Sequence, residues 1–147
     1  MKRSGLACGR LRETGVAAER GYMSQPIFYI DTSSIREGKL AELEAAMKHL
    51  ATFVEANMPQ LISYGFFLDE ARTQMTVVAV HPDSASLASH LDVGGAEFRK
   101  FADLIDLLRI EVYGQVSDAV LERLQQKARM LGGESVVVHD FYAGFTR

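Results

Sequence analysis

Alternating and clustered apolar positions divide the first half of the chain into strands and one long helix. Residues 26–32 (PIFYIDT), 60–68 (QLISYGFFL) and 74–81 (QMTVVAVH) are rich in β-branched and aromatic residues and predict three strands. The polar turn DEART between the last two predicts an antiparallel hairpin. Between residues 38 and 57 apolar side chains recur at steps of three and four and predict an amphipathic helix: Leu40, Leu43, Met47, Leu50 and Val54.

The next segment predicts a second helix and a fourth strand. Asp83 or Ser84 can cap a short helix, which we expect Gly94-Gly95 to interrupt. A second helical stretch follows, and its apolar face consists of Phe98, Phe101, Ile105 and Leu108. Residues 109–114 (RIEVYG) predict the fourth strand. The order β-α-β-β-α-β is that of the ferredoxin-like α+β fold.

The chain continues past this unit. Ser117 predicts the start of a third helix with an apolar stripe, and Gly132-Gly133 predicts its end. The stripe consists of Val120, Leu121, Leu124, Ala128 and Leu131. Residues 135–142 (SVVVHDFY) then predict a fifth strand. We therefore expect a ferredoxin-like sheet with an extra C-terminal helix and strand.

The strands are apolar on both faces, which has a consequence for assembly. Ile27 to Ile30 are consecutive apolar residues, and so are Val77 to Val80. A half-exposed antiparallel sheet would alternate between apolar and polar residues. The second face therefore needs a cover, and we predict a homodimer that packs sheet to sheet. The alternative is that the third helix covers this face alone.

Composition and charge exclude several classes of function. The 147 residues are 48% hydrophobic and 24% charged, as in an ordinary globular domain. The net charge of −3 argues against a nucleic-acid partner, and no apolar run has the length of a membrane span. With Cys8 as the only cysteine, no intrachain disulfide can form, and we expect a cytoplasmic protein.

The N-terminal segment differs from the rest of the chain. Residues 1–22 contain five Lys or Arg and two Glu, without sustained periodicity. We predict that residues 1–23 are a disordered basic leader, that Met23 is the natural start, and that residues 24–147 form a single domain.

Residues 26–114 resemble the antibiotic-biosynthesis-monooxygenase type of dimeric α/β-barrel proteins. Gly38-Lys39 match the pair that opens the family's long helix, and Leu87 with His90 match the pair in its short helix. The family often has Trp nine residues before that histidine, where this chain has His81. The resemblance implies a dimer whose two sheets form a barrel, with a cavity between sheet and helices in each subunit.

The resemblance also implies a set of activities. Cofactor-free oxidation of quinol-like aromatic compounds is one, and we predict a monooxygenase of a small aromatic or quinol-like compound that needs no cofactor or metal. A non-enzymatic dimer that binds a small apolar molecule is the alternative, and a haem-binding or haem-degrading protein is the second alternative.

Two histidines stand at notable positions. His90 lies on the same helical stripe as Leu87 and Leu91. It is either a structural histidine bonded to the backbone or a cavity-lining group that orients a phenol or takes its proton. His81, at the junction of strand and helix, is a candidate ligand-binding residue or a solvated side chain.

Polar groups on the strands complete the candidate site. We predict Tyr64 as a second catalytic residue beside His90, and Tyr29 and Asp31 as ligand-binding residues beside His81. Tyr29 and Asp31 are two residues apart, so they share one face of their strand. The chain contains no nucleophile elbow, phosphate loop or metal-ligand motif. The sequence therefore gives no support for hydrolase or nucleotide chemistry.

Overall fold

A computed structural model describes residues 25–147, and the leader predicted over residues 1–23 lies outside the described residues. Along the described residues the elements are β1 (Ile27–Ile35), α1 (Leu40–Asn57), β2 (Ser63–Leu68), β3 (Gln74–His81), α2 (Ser84–Arg99), β4 (Ile105–Tyr113), α3 (Asp118–Met130) and β5 (Val136–His139). This order confirms the predicted α+β fold, a βαββαβ unit followed by a helix and a strand.

The strands form one sheet in the order β2-β3-β1-β4-β5. β1 is the central strand and runs antiparallel to β3 and β4, while β2 and β3 form the predicted hairpin. β5 extends the sheet parallel to β4. Parallel neighbours need a long connection, and α3 supplies it.

All three helices pack on one face of this sheet and form what we call the helix layer. α1 buries its apolar stripe, Leu43, Met47, Leu50 and Val54. α3 packs beside α2, where Arg123 Nη1 donates to the Ala88 carbonyl oxygen at 3.3 Å and also pairs with Asp92. The alternative in which α3 covers the second face of the sheet is therefore wrong.

α2 continues through Gly94-Gly95, so the predicted interruption is wrong. A Cβ atom on Gly94 would lie 2.3 Å from the Phe98 ring, which is itself buried. Because Gly94 has no side chain, the Phe98 ring, one helical turn later, can occupy this space. Glycine inside a helix costs about 1 kcal/mol relative to alanine, and burial of the Phe98 ring offsets this cost.

The last two strands have other limits than predicted. β4 begins at Ile105 rather than at residue 109, because buried Ile105 and Leu107 alternate with exposed Asp106 and Leu108 in the period of a strand. β5 covers only Val136–His139. The predicted start of α3 is confirmed, since the Ser117 hydroxyl accepts a hydrogen bond from the backbone N–H of Val120 at 3.2 Å.

The second face of the sheet, which we call the outer face, has no helix of residues 25–147 packed on it. Its apolar side chains are Phe28, Ile30, Phe67, Val78, Val80, Tyr113 and Val137. Phe67 is 58% exposed and Phe28 is 42% exposed. Among the described helices, none is long and apolar enough to cross a membrane.

Candidate functional site

A small cavity lies between the sheet and the helix layer. Its polar groups are Asp31, Tyr64 and Lys127. The rest of its wall is apolar and consists of Leu50, Phe66, Met75, Val77, Phe98, Phe101, Ile105 and Leu131. The cavity has a volume of about 20 Å³, which is room for about one water molecule. A larger ligand therefore requires the surrounding side chains to move.

Two residues of this cavity, Asp31 and Lys127, are joined to Tyr29, which lies next to them, in what we call the buried trio. The Tyr29 hydroxyl donates to Asp31 Oδ2 at 2.6 Å. Lys127 Nζ donates to the Tyr29 hydroxyl oxygen at 2.9 Å and lies 3.7 Å from Asp31 Oδ2. The side chains of Lys127 and Asp31 are only 9% and 5% exposed. The trio therefore places two charged side chains, Asp31 and Lys127, among mostly apolar neighbours.

The local sequence explains how these groups meet. Alternation along β1 directs both Tyr29 and Asp31 towards the helix layer. Lys127 lies on α3 three residues after Leu124 and four before Leu131, both buried, so it faces the sheet. Its ammonium group lies 4.1 Å from the centre of the Phe98 ring, a cation–π contact.

Burial shifts the pKa of every member of the trio. It raises the pKa of the Asp31 carboxyl, and the nearby Lys127 ammonium and the Tyr29 hydroxyl only partly counter this effect. Burial likewise lowers the pKa of Lys127, against the attraction of Asp31. The pKa of Tyr29 is raised by burial and by the Asp31 charge, so the phenol keeps its proton. Asp31 is thus a carboxylate with an enhanced tendency to accept a proton.

Tyr64, predicted as catalytic, lies on β2 and forms part of the cavity wall. Its ring packs edge-on against Phe66, with 5.4 Å between the ring centres. Burial, and secondarily the Asp31 charge, raises the pKa of Tyr64. The hydroxyl is therefore a hydrogen-bond donor at ordinary pH rather than a phenolate.

The two predicted histidines form a separate cluster beside the cavity. Their ring centres are 5.3 Å apart, and neither residue lines the cavity. His81 Nδ1 is 3.0 Å from the Ser86 hydroxyl, and His90 Nδ1 is 2.9 Å from the Met58 sulfur. Within the described part of the chain, Nε2 of each ring is buried without a hydrogen-bond partner.

Both histidines are neutral at ordinary pH. Burial, with the charge of Lys127 as the next cause, lowers the pKa of His81 to about 4 and that of His90 to about 2. His90 contacts two residues that line the cavity, Tyr64 and Phe98, and its ring centre lies 5.4 and 5.0 Å from theirs. The structure thus brings Asp31 and Tyr64 to the cavity, places Tyr29 beside it through the hydrogen bond to Asp31, and places the histidines behind its wall.

Sequence reasoning missed Lys127. The signal was present, because a lysine between Leu124 and Leu131 lies close to the apolar stripe predicted for α3. As for metals, no group of three or more His, Cys, Asp or Glu side chains in residues 25–147 is arranged to hold an ion.

Comparisons with known proteins show the fold. The sequence matches no family model and no curated protein. The structure is similar to that of MupZ from Pseudomonas fluorescens, with a TM-score of 0.62 and 22% identity over 84% of this chain and 95% of MupZ. Similarity at this level of identity establishes the architecture and leaves the activity to be argued from the site.

Two further similar structures are provisionally named antibiotic biosynthesis monooxygenases. The protein from Caulobacter crescentus has a TM-score of 0.57 and 22% identity, over 69% of this chain and 99% of its own. The protein from Deinococcus radiodurans has a TM-score of 0.53 and 16% identity, over 62% of this chain and 93% of its own. The ferredoxin-like fold is therefore the one found in proteins with this name.

Proposed function

We propose that this protein is a cofactor-independent monooxygenase that oxidises a small aromatic or quinol-like compound. The observation that carries the proposal is Asp31, a buried carboxylate with a raised pKa on the wall of a mostly apolar cavity. A base in such a place can deprotonate an electron-rich substrate away from water. The names of the similar structures from Caulobacter and Deinococcus support the same class of reaction.

The reaction needs an acceptor for one proton and a substrate that can reduce dioxygen. Asp31 removes a proton from the substrate, and the resulting anion gives an electron to O2. The two radicals then combine at carbon. For an activated CH2 group the product is a carbonyl that keeps one oxygen atom, and the other oxygen leaves as water with both hydrogens. The substrate is the only reductant, so no cofactor is required.

Tyr64 and His90 have different parts in this proposal. Tyr64 donates its hydroxyl proton in a hydrogen bond to the substrate oxygen, since it lines the cavity and keeps its proton. His90 positions the rings of Tyr64 and Phe98, which it contacts. A pKa of about 2 makes His90 a weak base, so we assign proton removal to Asp31. Direct catalysis by His90 stays a prediction.

Oxygen consumption tests the proposed reaction. With a panel of hydroquinones and anthrone-type phenols, we expect oxygen uptake that saturates with substrate. Asp31→Asn removes the base, and we expect it to lower kcat by about 100-fold or more. The matched control is Asp106→Asn, which removes an exposed carboxylate that pairs with Arg36. Binding of the panel without oxygen uptake would instead favour the alternative, a ligand-binding protein without enzymatic activity.

We also propose that two copies of the chain pair through their outer faces. No helix of residues 25–147 covers the apolar outer face, and a two-fold axis would bring the same surface of a second copy against it. Ile30 and Val78 face each other on neighbouring strands within this surface. Both cavities would remain on the opposite side of the sheets, inside each subunit.

Light scattering after size exclusion tests this pairing. At micromolar concentration we expect twice the mass of the chain, and we expect Val78→Lys to give a monomer because it places a charge within the apolar interface. Val93→Lys is the control, since Val93 is exposed on α2 in the helix layer. A monomeric wild-type protein, or a dimeric Val78→Lys variant, would contradict the proposed interface.

A further inference from the structure

We propose that Lys127 binds the oxyanion that forms when Asp31 deprotonates the ligand, so the site selects ligands with one ionisable hydroxyl, a phenol or an enol. This inference rests on the proposed function, because it assigns the substrate class of the same cavity. It adds a residue from α3, which lies outside the βαββαβ unit, to the groups that contact the ligand.

The hydrogen bonds of Lys127 leave donors for a ligand. An ammonium group has three N–H donors and no acceptor. Within residues 25–147, one hydrogen bond joins Nζ to the Tyr29 hydroxyl at 2.9 Å, and the 3.7 Å to Asp31 is beyond hydrogen-bond length. The other nearby partner is the Phe98 ring, which interacts with the charge and accepts no strong hydrogen bond. Lys127 therefore lines the cavity with unused donors.

The position of Lys127 next to Asp31 makes the proton transfer electrostatically balanced. Before transfer, the Lys127 cation faces the Asp31 carboxylate. After transfer, Asp31 is a neutral acid and the same cation faces the ligand oxyanion. The number of charges in the buried site does not change, so no additional charge has to be desolvated. The ion pair only exchanges its anionic member.

The size of the cavity is consistent with a hydroxyl group at this position. About 20 Å³ accommodates one oxygen atom with its hydrogen. The carbon skeleton of the ligand must then displace the apolar side chains around it, of which Phe98 packs directly against the Lys127 ammonium group. A ligand that lacked the hydroxyl would leave Lys127 without the oxygen acceptor.

A chromophoric phenol tests the inference directly. We would titrate the full chain into 4-nitrophenol at one pH unit below the pKa of the free phenol, without requiring any turnover. We expect the absorption band of the phenolate to grow and saturate, and 4-nitroanisole, which cannot ionise, to bind more weakly. In Lys127→Met we expect the affinity for the phenolate to fall about ten-fold or more. Lys127→Arg keeps the cation and should retain the band.

Two further measurements make the result decisive. Lys100→Met removes an exposed lysine and should behave as wild type. If Lys127→Met is too unstable, the Asp31→Asn/Lys127→Met double variant, in which neither charge is left alone, should bind nitrophenol only in its neutral form. Binding of the neutral phenol by the wild type, or unchanged phenolate affinity in Lys127→Met, would overturn the inference.

The two proposals fail in distinguishable ways. A phenolate band that depends on Lys127, without oxygen uptake from any substrate of the panel, would refute the monooxygenase and leave the oxyanion site standing. Oxygen uptake with unchanged kcat and KM in Lys127→Met would refute the oxyanion site and leave the monooxygenase standing.

Discussion

Between pH 7 and pH 5 we expect His81 and His90 to take about 4 kcal/mol from the stability of this protein, because both are buried in their neutral form. Their folded-state pKa values of about 4 and about 2 lie below the 6.5 of an exposed histidine. Between these values the unfolded chain binds protons that the folded chain does not. The contribution of His81 is therefore present above about pH 6.5 and is lost as the pH falls to about 4, and that of His90 is lost as the pH falls to about 2.

Burial sets the sign of this effect, and the charges around the two histidines modify its size. The Lys127 cation disfavours protonation of both rings, and the His81 ring disfavours protonation of His90. Asp83 works in the opposite direction at His81. Asp31 also opposes the loss, because its raised pKa lets the folded state take up a proton before the unfolded state does. Because two histidines lower the free energy of unfolding in acid and only Asp31 raises it, we expect the protein to be less stable in acid.

Urea unfolding at pH 7 and pH 5, at fixed protein concentration, measures the difference. His90→Leu replaces one ring by an apolar side chain, and we expect it to reduce the difference to about 2 kcal/mol. His49→Gln is the matched control, because the side chain of His49 is 63% exposed. Equal stability of the wild type at the two pH values would contradict the assignment of both histidines as buried neutral groups.

Removal of one charge from the buried trio should have the second large effect. We expect Lys127→Met to lower the free energy of unfolding at pH 7 by about 3–5 kcal/mol, because it leaves the Asp31 carboxylate buried without its cation. Asp31→Asn leaves Lys127 in the same position and should cost a similar amount. The double variant should cost clearly less than the sum of the two single variants, since it leaves no lone charge.

A double-mutant cycle in urea measures this coupling. The exposed pair of Arg36 and Asp106, joined at 3.0 Å, is the matched control. Its coupling energy should be about 0–1 kcal/mol, as for other pairs in solvent. Additive costs at Lys127 and Asp31 would show that the two side chains do not depend on each other in the folded protein.

Local patterns were sufficient for most of the fold. The stripe from Leu43 to Val54 predicted α1, and the DEART turn predicted the hairpin of β2 and β3. Two errors have different causes, and the first is that spacing of three or four residues is not unique to helices. Ile105 and Leu108 fit the helical series by coincidence, although they belong to a strand. Gly94 looked like an interruption because its partner, the Phe98 ring, is visible only in three dimensions.

Only the part of the candidate site that lies within a single strand or helix was predictable from the sequence. Alternation placed Tyr29 and Asp31 together on β1. Lys127 is 98 residues away from Tyr29 along the chain, and their contact depends on which face of the sheet α3 covers. No local pattern in α3 specifies that face. The position of the histidines behind Tyr64, rather than in the cavity, likewise depends on how α2 packs against β2.

The connection of β4 to β5 through α3 affects how the ligand preference of such a protein can change. β5 pairs at the edge of the sheet, and the hydrogen bonds of β1 with β3 and β4 involve neither β5 nor α3. An exchanged C-terminal segment could therefore bring a different side chain to the place of Lys127 while the sheet stays the same. A neutral residue there, combined with Asp31→Asn so that no charge is left alone, would suit an uncharged ligand.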